Sequence, residues 1–163
     1  MRPDFIATVR ATWAVAAPDA QRIGLAFYAR LFELDPSLVH LFPADLSAQT
    51  TKLMQTLAVA VASLDRLDVL APALEALGRR HVGYGVSDAH YDTVGRALLD
   101  ALAATFGGAF TEHVRAAWAE TYASLTGVMR RASNEHAAAL REAALRDIAA
   151  RDAAAWGGML ASA

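Results

Sequence analysis

His81 lies at the C-terminal end of an apolar segment, next to a corner that contains Gly83 and Gly85. An imidazole in this position can present one ring nitrogen to a flat pocket with apolar walls, which is how haem iron is held from one side. A lone histidine on a helix is more often an ordinary core or surface residue, so the rest of the chain must supply the pocket. The other histidines do not cluster at metal-ligand spacing: His40, His90, His113 and His136.

The composition narrows the chemistry that the chain can perform. Its 163 residues, 55% of them hydrophobic, suit one domain with a sizeable core. A net charge of -2 gives no basic surface for nucleic acid or for anionic membranes. The chain has no cysteine, which excludes disulfides, thiolate metal sites and thioether-linked haem, so any haem is non-covalent. Without a signal-like N-terminus or a run of about 18 apolar residues, we expect a cytoplasmic protein with no membrane partner.

The elements that must position these residues are helical nearly throughout, because apolar residues recur at helical spacing and strand-type alternation is rare. We predict helices over residues 4–16, 18–34, 47–64, 72–84 and 88–106, and a last long helix that begins after Thr111. Residues 36–42 are predicted to form a packed turn, because the residue before Pro36 avoids helical angles. Gly107 and Gly108 end the fifth of these helices. Uneven helices with short corners predict an all-α protein rather than a regular four-helix bundle.

Six separated motifs stand in a specific order along the chain, at residues 27–32, 35–42, 52–54, 77–81, 90–95 and 109–118. On these motifs the chain resembles a bacterial single-domain globin over roughly residues 3–131. It is similar to the haem domain of flavohaemoglobins and, more loosely, to neuroglobin. The resemblance implies the globin fold, with about seven or eight helices around a pocket for haem b. It also implies a globin domain over residues 1–132.

The resemblance assigns a role to each candidate site residue. His81 matches the proximal iron ligand, and Tyr91 helps to orient it. Tyr28 and Gln49 match the distal pair that donates hydrogen bonds to a bound gas, although each alone is equally a core aromatic or a solvated helix residue. Phe42 packs flat against the haem, or is simply a core aromatic. Lys52 matches a basic residue at the pocket mouth, or is an ordinary exposed lysine. The apolar walls of the pocket are assigned to Leu53, Leu77, Val86, Val94 and Leu98.

Two features depart from the family pattern. Flavohaemoglobins place a glutamate in the last helix that polarises the proximal histidine, but this chain has Ser133 there, and Glu135 is displaced by two positions. We therefore expect a less peroxidase-like iron.

The second departure is an Ala-rich extension over residues 133–163. It carries Glu142–Arg146 and Asp147–Arg151 at i,i+4 spacing and a broken apolar stripe of Leu140, Ala144, Ile148 and residues 155–156. We predict a helix that stops at Gly157–Gly158. It folds back on the globin, packs on a second subunit or frays; the chain is a monomer or a homodimer.

The resemblance implies reversible binding of oxygen, nitric oxide and carbon monoxide, for oxygen transport or for nitric oxide detoxification. The chain contains no strand–GxGxxG–helix unit for a flavin or nicotinamide, so nitric oxide dioxygenation would need a separate reductase. A different class of function is a gas or redox sensor, or an electron-transfer protein, in which Gln49, Lys52 or Tyr28 supplies an internal sixth ligand. A haem-free globin-like scaffold is a third hypothesis, against which the combination of His81 with Tyr28 and Gln49 argues.

Overall fold

The computed structural model describes the backbone of residues 1–161 and the side chains of residues 1–151. Over this range the chain forms α-helices joined by short corners, and no strand occurs in it. The α-helices are α1 (Pro3–Ala16), α2 (Ala20–Leu34), α3 (Ser47–Ala62), α4 (Leu67–Gly83), α5 (Asp88–Phe106) and α6 (Glu112–Ala161). The connecting 3-10 turns are Ala17–Asp19, Pro36–Leu41 and Gly107–Ala109. The predicted all-α globin fold is confirmed, with part of the expected helix count present as 3-10 turns.

The helix corners follow from local hydrogen bonding. Asp35 has extended backbone angles before Pro36, and its side chain accepts a hydrogen bond from the Ser37 amide at 3.0 Å. At the start of α5, the Ser87 amide donates to the His90 ring at 3.2 Å. Gly107 ends α5 with a φ of 53°, a left-handed angle that glycine adopts at little cost. These corners lie where the sequence predicts them.

Several predicted helix bounds are wrong. The second helix begins at Ala20 rather than at residue 18, because Ala17–Asp19 form a 3-10 turn. The helix that carries His81 begins at Leu67 rather than Pro72, and Pro72 lies exposed inside it. Leu70 and Leu74 are both buried on α4, so packing on either side of the proline outweighs the single backbone hydrogen bond that it removes. The third helix ends at Ala62, slightly before the predicted bound of 64.

The last helix also differs from the prediction, because α6 continues through Gly157–Gly158 to Ala161. Glycine lowers helix propensity by about 1 kcal/mol but does not by itself block a helix. Side chains of residues 138–151 are exposed, including Leu140, Leu145 and Ile148, so this part of the extension does not fold back on the globin. Arg151 and Asp147 form the expected ion pair at 2.9 Å, whereas Glu142 and Arg146 form none within the described side chains. Residues 155–156, which are predicted to end the apolar stripe, lie outside the residues whose side chains the structure describes.

The core consists of two apolar clusters. The larger joins α1, α2, α5 and α6 around Trp118, Leu31 and Leu102, which are completely buried. The smaller joins α3, α4, α5 and α6 and contains Leu70, Leu74, Tyr91, Leu125 and Met129. Within residues 1–161, no helix is long and apolar enough to cross a membrane. The apolar and aromatic candidate site residues are divided between these two clusters.

Candidate functional site

His81 lies in the last turn of α4, and a backbone contact sets its protonation pattern. Its Nδ1 is 2.8 Å from the Leu77 carbonyl oxygen. A carbonyl oxygen can only accept, so Nδ1 carries the proton and donates it. In the neutral ring Nε2 then has a free lone pair, the form in which imidazole ligates a metal.

The electrostatics of His81 favour the same neutral form. Burial lowers the pKa of the imidazole below 6.5, and the nearby Arg80 charge lowers it further. The hydrogen bond to Leu77 opposes this shift with a smaller effect. Within the described side chains, no group of three or more histidine and carboxylate residues could hold a metal ion. His81 is therefore suited to be a single protein ligand rather than one member of a multidentate site.

Tyr91 and Ser133 lie behind the His81 ring. The buried Tyr91 ring is stacked with the imidazole, with centroids 6.0 Å apart and planes 23° from parallel. The Tyr91 hydroxyl is 3.2 Å from Ser133 Oγ, and Ser133 Oγ donates to the Gly78 carbonyl at 2.7 Å. Ser133 is itself buried, whereas Glu135 is exposed. The sequence places Ser133 where the flavohaemoglobin pattern has a glutamate, but it did not predict the hydrogen bonds that Ser133 forms with Tyr91 and Gly78.

On the distal side, the crossing of α2 and α3 brings Tyr28 and Gln49 together. The crossing is close, because a Cβ on Gly24 would lie 2.3 Å from the Thr50 methyl group. Tyr28 follows Gly24 by one helical turn, and Gln49 precedes Thr50. Burial raises the pKa of the Tyr28 phenol, and hydrogen bonding with the Gln49 side chain partly offsets this. The two residues of the predicted distal pair are therefore neighbours at this crossing.

Phe42 and the apolar wall residues line a seam between the two core clusters. The Phe42 ring meets the Tyr28 ring edge to face, with centroids 5.3 Å apart. Phe42, Leu53, Val94 and Leu98 belong to the larger cluster or pack against it, whereas Leu77, Val86 and Tyr91 do so with the smaller one. All of the wall residues except Leu98 are half-buried, as is Phe42. Half-buried apolar side chains on both sides of a seam, with His81 on one side, fit a flat apolar group such as haem.

Two further features border this seam. A groove of about 350 Å³ runs between α3 and α4, and Thr56, Leu77 and Arg80 are among its lining residues. Leu77, whose carbonyl accepts the hydrogen bond from His81, is therefore part of the wall of this groove. Lys52 is exposed on α3, which is compatible both with a place at the pocket mouth and with an ordinary surface lysine. Its role stays a prediction.

This fold and site define a class: a protein that is helical over the described residues, with the neutral imidazole of His81 beside Leu77 and Tyr91 of the smaller apolar cluster. The model of the Globin family matches residues 25–129. The chain therefore belongs to the globin family, and with this family it shares haem b as its cofactor and the binding of diatomic gases.

The relatives that the chain resembles include vertebrate neuroglobins. Neuroglobin of Danio rerio is 34% identical over 137 residues, which cover 76% of this chain and 86% of the relative. Neuroglobin-1 of Oncorhynchus mykiss is 31% identical over 137 residues, with the same coverage. Neuroglobin of Dissostichus mawsoni is 31% identical over 135 residues, covering 74% of this chain and 85% of the relative. These relatives give no support to a bacterial origin or to the closer resemblance to flavohaemoglobins.

Proposed function

We propose that the chain binds oxygen reversibly, with His81 as the iron ligand on one side of the haem and Tyr28 with Gln49 on the other. When bound, ferrous haem supplies the iron to which a diatomic gas attaches. The placement of Tyr28 and Gln49 as neighbours on α2 and α3, at the close crossing of Gly24 and Thr50, is the observation that carries this proposal. It provides two hydrogen-bond donors for a polar gas ligand.

The surroundings of Tyr28 support its role as a donor. Burial raises the pKa of the phenol, so the hydroxyl keeps its proton at neutral pH. Gln49 holds the hydroxyl from α3, and Phe42 packs against the ring and helps to exclude water. In such a low-dielectric environment a hydrogen bond to a ligand that bears partial negative charge is stronger than it would be in water.

Replacement of Tyr28 by Phe tests this role directly. A hydrogen bond to a charged acceptor contributes about 1.5–3 kcal/mol, so we expect oxygen dissociation to be roughly 10- to 150-fold faster in Tyr28→Phe. Carbon monoxide is less polar when bound, and its dissociation rate should change less. The matched control is Tyr84→Phe, because the Tyr84 side chain is 60% exposed and lies beside His81. An unchanged oxygen dissociation rate in Tyr28→Phe would refute the proposal.

Nitric oxide detoxification is the enzymatic form of this proposal. The reaction joins oxygen and nitric oxide to give nitrate, and it leaves ferric haem, which a separate reductase must return to the ferrous state. The distal donors support this reaction as well as oxygen storage. Ser133 in place of a glutamate supports a weaker electron push from His81 and hence a modest rate. Nitrate formation measured with and without an added flavin reductase tests the enzymatic form, and no reductase-dependent nitrate would contradict it.

The alternative function is a gas or redox sensor, or an electron-transfer protein, with an internal sixth ligand. Gln49 and Tyr28 lie at the distal side, and the long exposed part of α6 offers a surface through which a sensor could signal. The absorption spectrum of the reduced protein, recorded before any gas is added, separates the two functions. A single broad visible band indicates five-coordinate iron and supports oxygen binding. Sharp paired bands indicate an internal ligand and support the alternative.

A further inference from the structure

We infer that Ser133 is a positioning residue for His81 and acts through Tyr91. Ser133 lies on α6, Tyr91 on α5 and His81 on α4, so one buried hydroxyl joins the three helices that surround the proximal side. This inference rests on the proposed role of His81 as the iron ligand. It goes further by naming the group that determines how that ligand is held.

The direction of the hydrogen bonds follows from the chemistry of the atoms. Ser133 has one hydroxyl proton, and the Gly78 carbonyl at 2.7 Å can only accept it. The Tyr91 hydroxyl therefore donates its own proton to Ser133 Oγ at 3.2 Å. The chain runs from Tyr91 through Ser133 to the Gly78 backbone. Without Ser133, the buried Tyr91 hydroxyl loses this acceptor.

Tyr91 is also held at its backbone and its ring. The Tyr122 hydroxyl donates to the Tyr91 carbonyl at 2.5 Å, which ties the backbone of α5 to α6. The Arg130 guanidinium lies 5.1 Å from the centre of the Tyr91 ring and forms an ion pair with Asp92. Ser133 adds the contact at the tip of the ring. The ring that stacks on His81 therefore has little freedom to rotate.

The second arm of Ser133 acts on the helix that carries His81. Gly78 precedes His81 by three residues on α4, and it is pressed against the backbone of Met129 on α6. The hydrogen bond from Ser133 to the Gly78 carbonyl adds a polar tie at this crossing. Ser133 thus contacts both the turn that carries the imidazole and the tyrosine on which the imidazole stacks.

The test compares Ser133→Ala with Tyr91→Phe, the double variant and a matched control. Thr126→Val is the control, because Thr126 is a buried α6 hydroxyl that bonds its own helix at the Tyr122 carbonyl. One readout is the iron–histidine stretching band in resonance Raman spectra, recorded just after photolysis of the carbon monoxide complex. The other is the rate of haem transfer to an excess of an acceptor apoglobin.

We expect Ser133→Ala to shift the iron–histidine band and to speed haem loss by about 3- to 10-fold, the effect of one lost hydrogen bond. Tyr91→Phe should shift the band in the same direction but less, because Ser133 still bonds the Gly78 carbonyl, and the double variant should add little to Ser133→Ala. Ser133→Cys keeps the shape of the side chain with a slightly larger atom and forms weaker hydrogen bonds, so it should give a smaller shift of the same sign. Thr126→Val should leave the band in place.

Two results would overturn the inference. One is a Ser133→Ala band that coincides with those of the wild type and Thr126→Val. The other is full additivity of Ser133→Ala and Tyr91→Phe, which would mean that the two residues act independently. Failure of the ligand assignment itself looks different: His81→Ala would then retain the iron–histidine band, whatever the Ser133 variants show. If His81→Ala loses that band, the ligand assignment stands, and the Ser133 variants then test the role of Ser133 by themselves.

Discussion

His81 shows how two local contacts determine the state of one side chain. The carbonyl of Leu77 holds the proton on Nδ1, and burial together with Arg80 lowers the pKa of the ring. The contact with Leu77 fixes the tautomer, whereas burial and Arg80 favour the neutral imidazole, and in that tautomer Nε2 is the nitrogen that could ligate a metal. A similar logic applies to Tyr28, where burial keeps the proton on the hydroxyl. At the residue scale, a ring nitrogen with a free lone pair and a protonated phenol are the two groups that the proposed site would use.

The lowered pKa of His81 predicts a pH dependence of stability. Below about pH 6.5 the unfolded chain takes up a proton at this histidine before the folded chain does, so acid favours unfolding. The stabilising contribution is complete above that pH and is lost as the pH falls through the window towards the folded pKa. In urea unfolding of the haem-free chain, His81→Gln should flatten this part of the profile. The exposed His40→Gln is the control. Equal slopes for His81→Gln and the wild type would contradict the prediction.

At the scale of elements, the site depends on two close helix crossings. The α2–α3 crossing at Gly24 and Thr50 aligns the distal pair, and the α4–α6 crossing at Gly78 and Met129 supports the proximal side. Helix periodicity predicted the helices themselves, because burial repeats along each helix. It did not predict where α4 begins, because packing of Leu70 and Leu74 overrides the break that Pro72 suggests. Crossing points between helices are set by contacts that no local pattern contains.

The α4–α6 crossing predicts opposite effects for two glycines of the same helix. A Cβ on Gly78 would lie 2.3 Å from the Met129 carbonyl oxygen, and a backbone atom cannot move aside cheaply. We expect Gly78→Ala to destabilise the fold by about 1–3 kcal/mol, as overpacking does. Gly83 has nothing within 4 Å, so Gly83→Ala should be neutral or should stabilise the helix by up to about 1 kcal/mol. Denaturant unfolding of both variants tests this, and equal effects would exclude a special role for the crossing.

At the scale of the whole molecule, α6 has two parts with different surroundings. Up to Ser133 the helix packs in the globin core, with Trp118, Leu125, Met129 and Ala132 buried. Beyond residue 137 its described side chains are exposed. The predicted domain boundary between residues 132 and 133 stays a prediction. Ser133, the first residue beyond that boundary, nevertheless forms two hydrogen bonds within the core.

Two shortened chains test where the globin domain ends. A chain that stops after Ala139 loses side chains that are exposed in the described part of the extension, so its free energy of unfolding and its haem affinity should match those of the full chain. A chain that stops after Ala132 also loses Ser133 and leaves the Tyr91 hydroxyl without that acceptor. It should be less stable by about 1–3 kcal/mol. Thermal unfolding of both chains measures the difference, and equal midpoints would support the boundary at 132.

The sequence by itself determined the helical class, the candidate ligand and the order of the motifs. Helix formation and burial repeat along the chain every three to four residues, and the motifs carry the register of Gln49 and Tyr28 relative to His81. It therefore supported the family and predicted residues for both sides of the pocket. It could not show that Tyr28 and Gln49 meet, because their contact depends on the crossing of two helices.

Only the tertiary structure decided the role of Ser133 and the course of α6. Ser133 bonds Tyr91 and Gly78 across separations of 42 and 55 residues, and such contacts depend on how whole helices pack. From the sequence, this serine was recognisable as a departure from a family pattern but not as a residue that links α4, α5 and α6 by hydrogen bonds. The extension likewise offered three arrangements, because an amphipathic pattern is compatible with any of several partners. Residues 138–151 of α6 project from the globin because this part of the helix lacks a continuous apolar face.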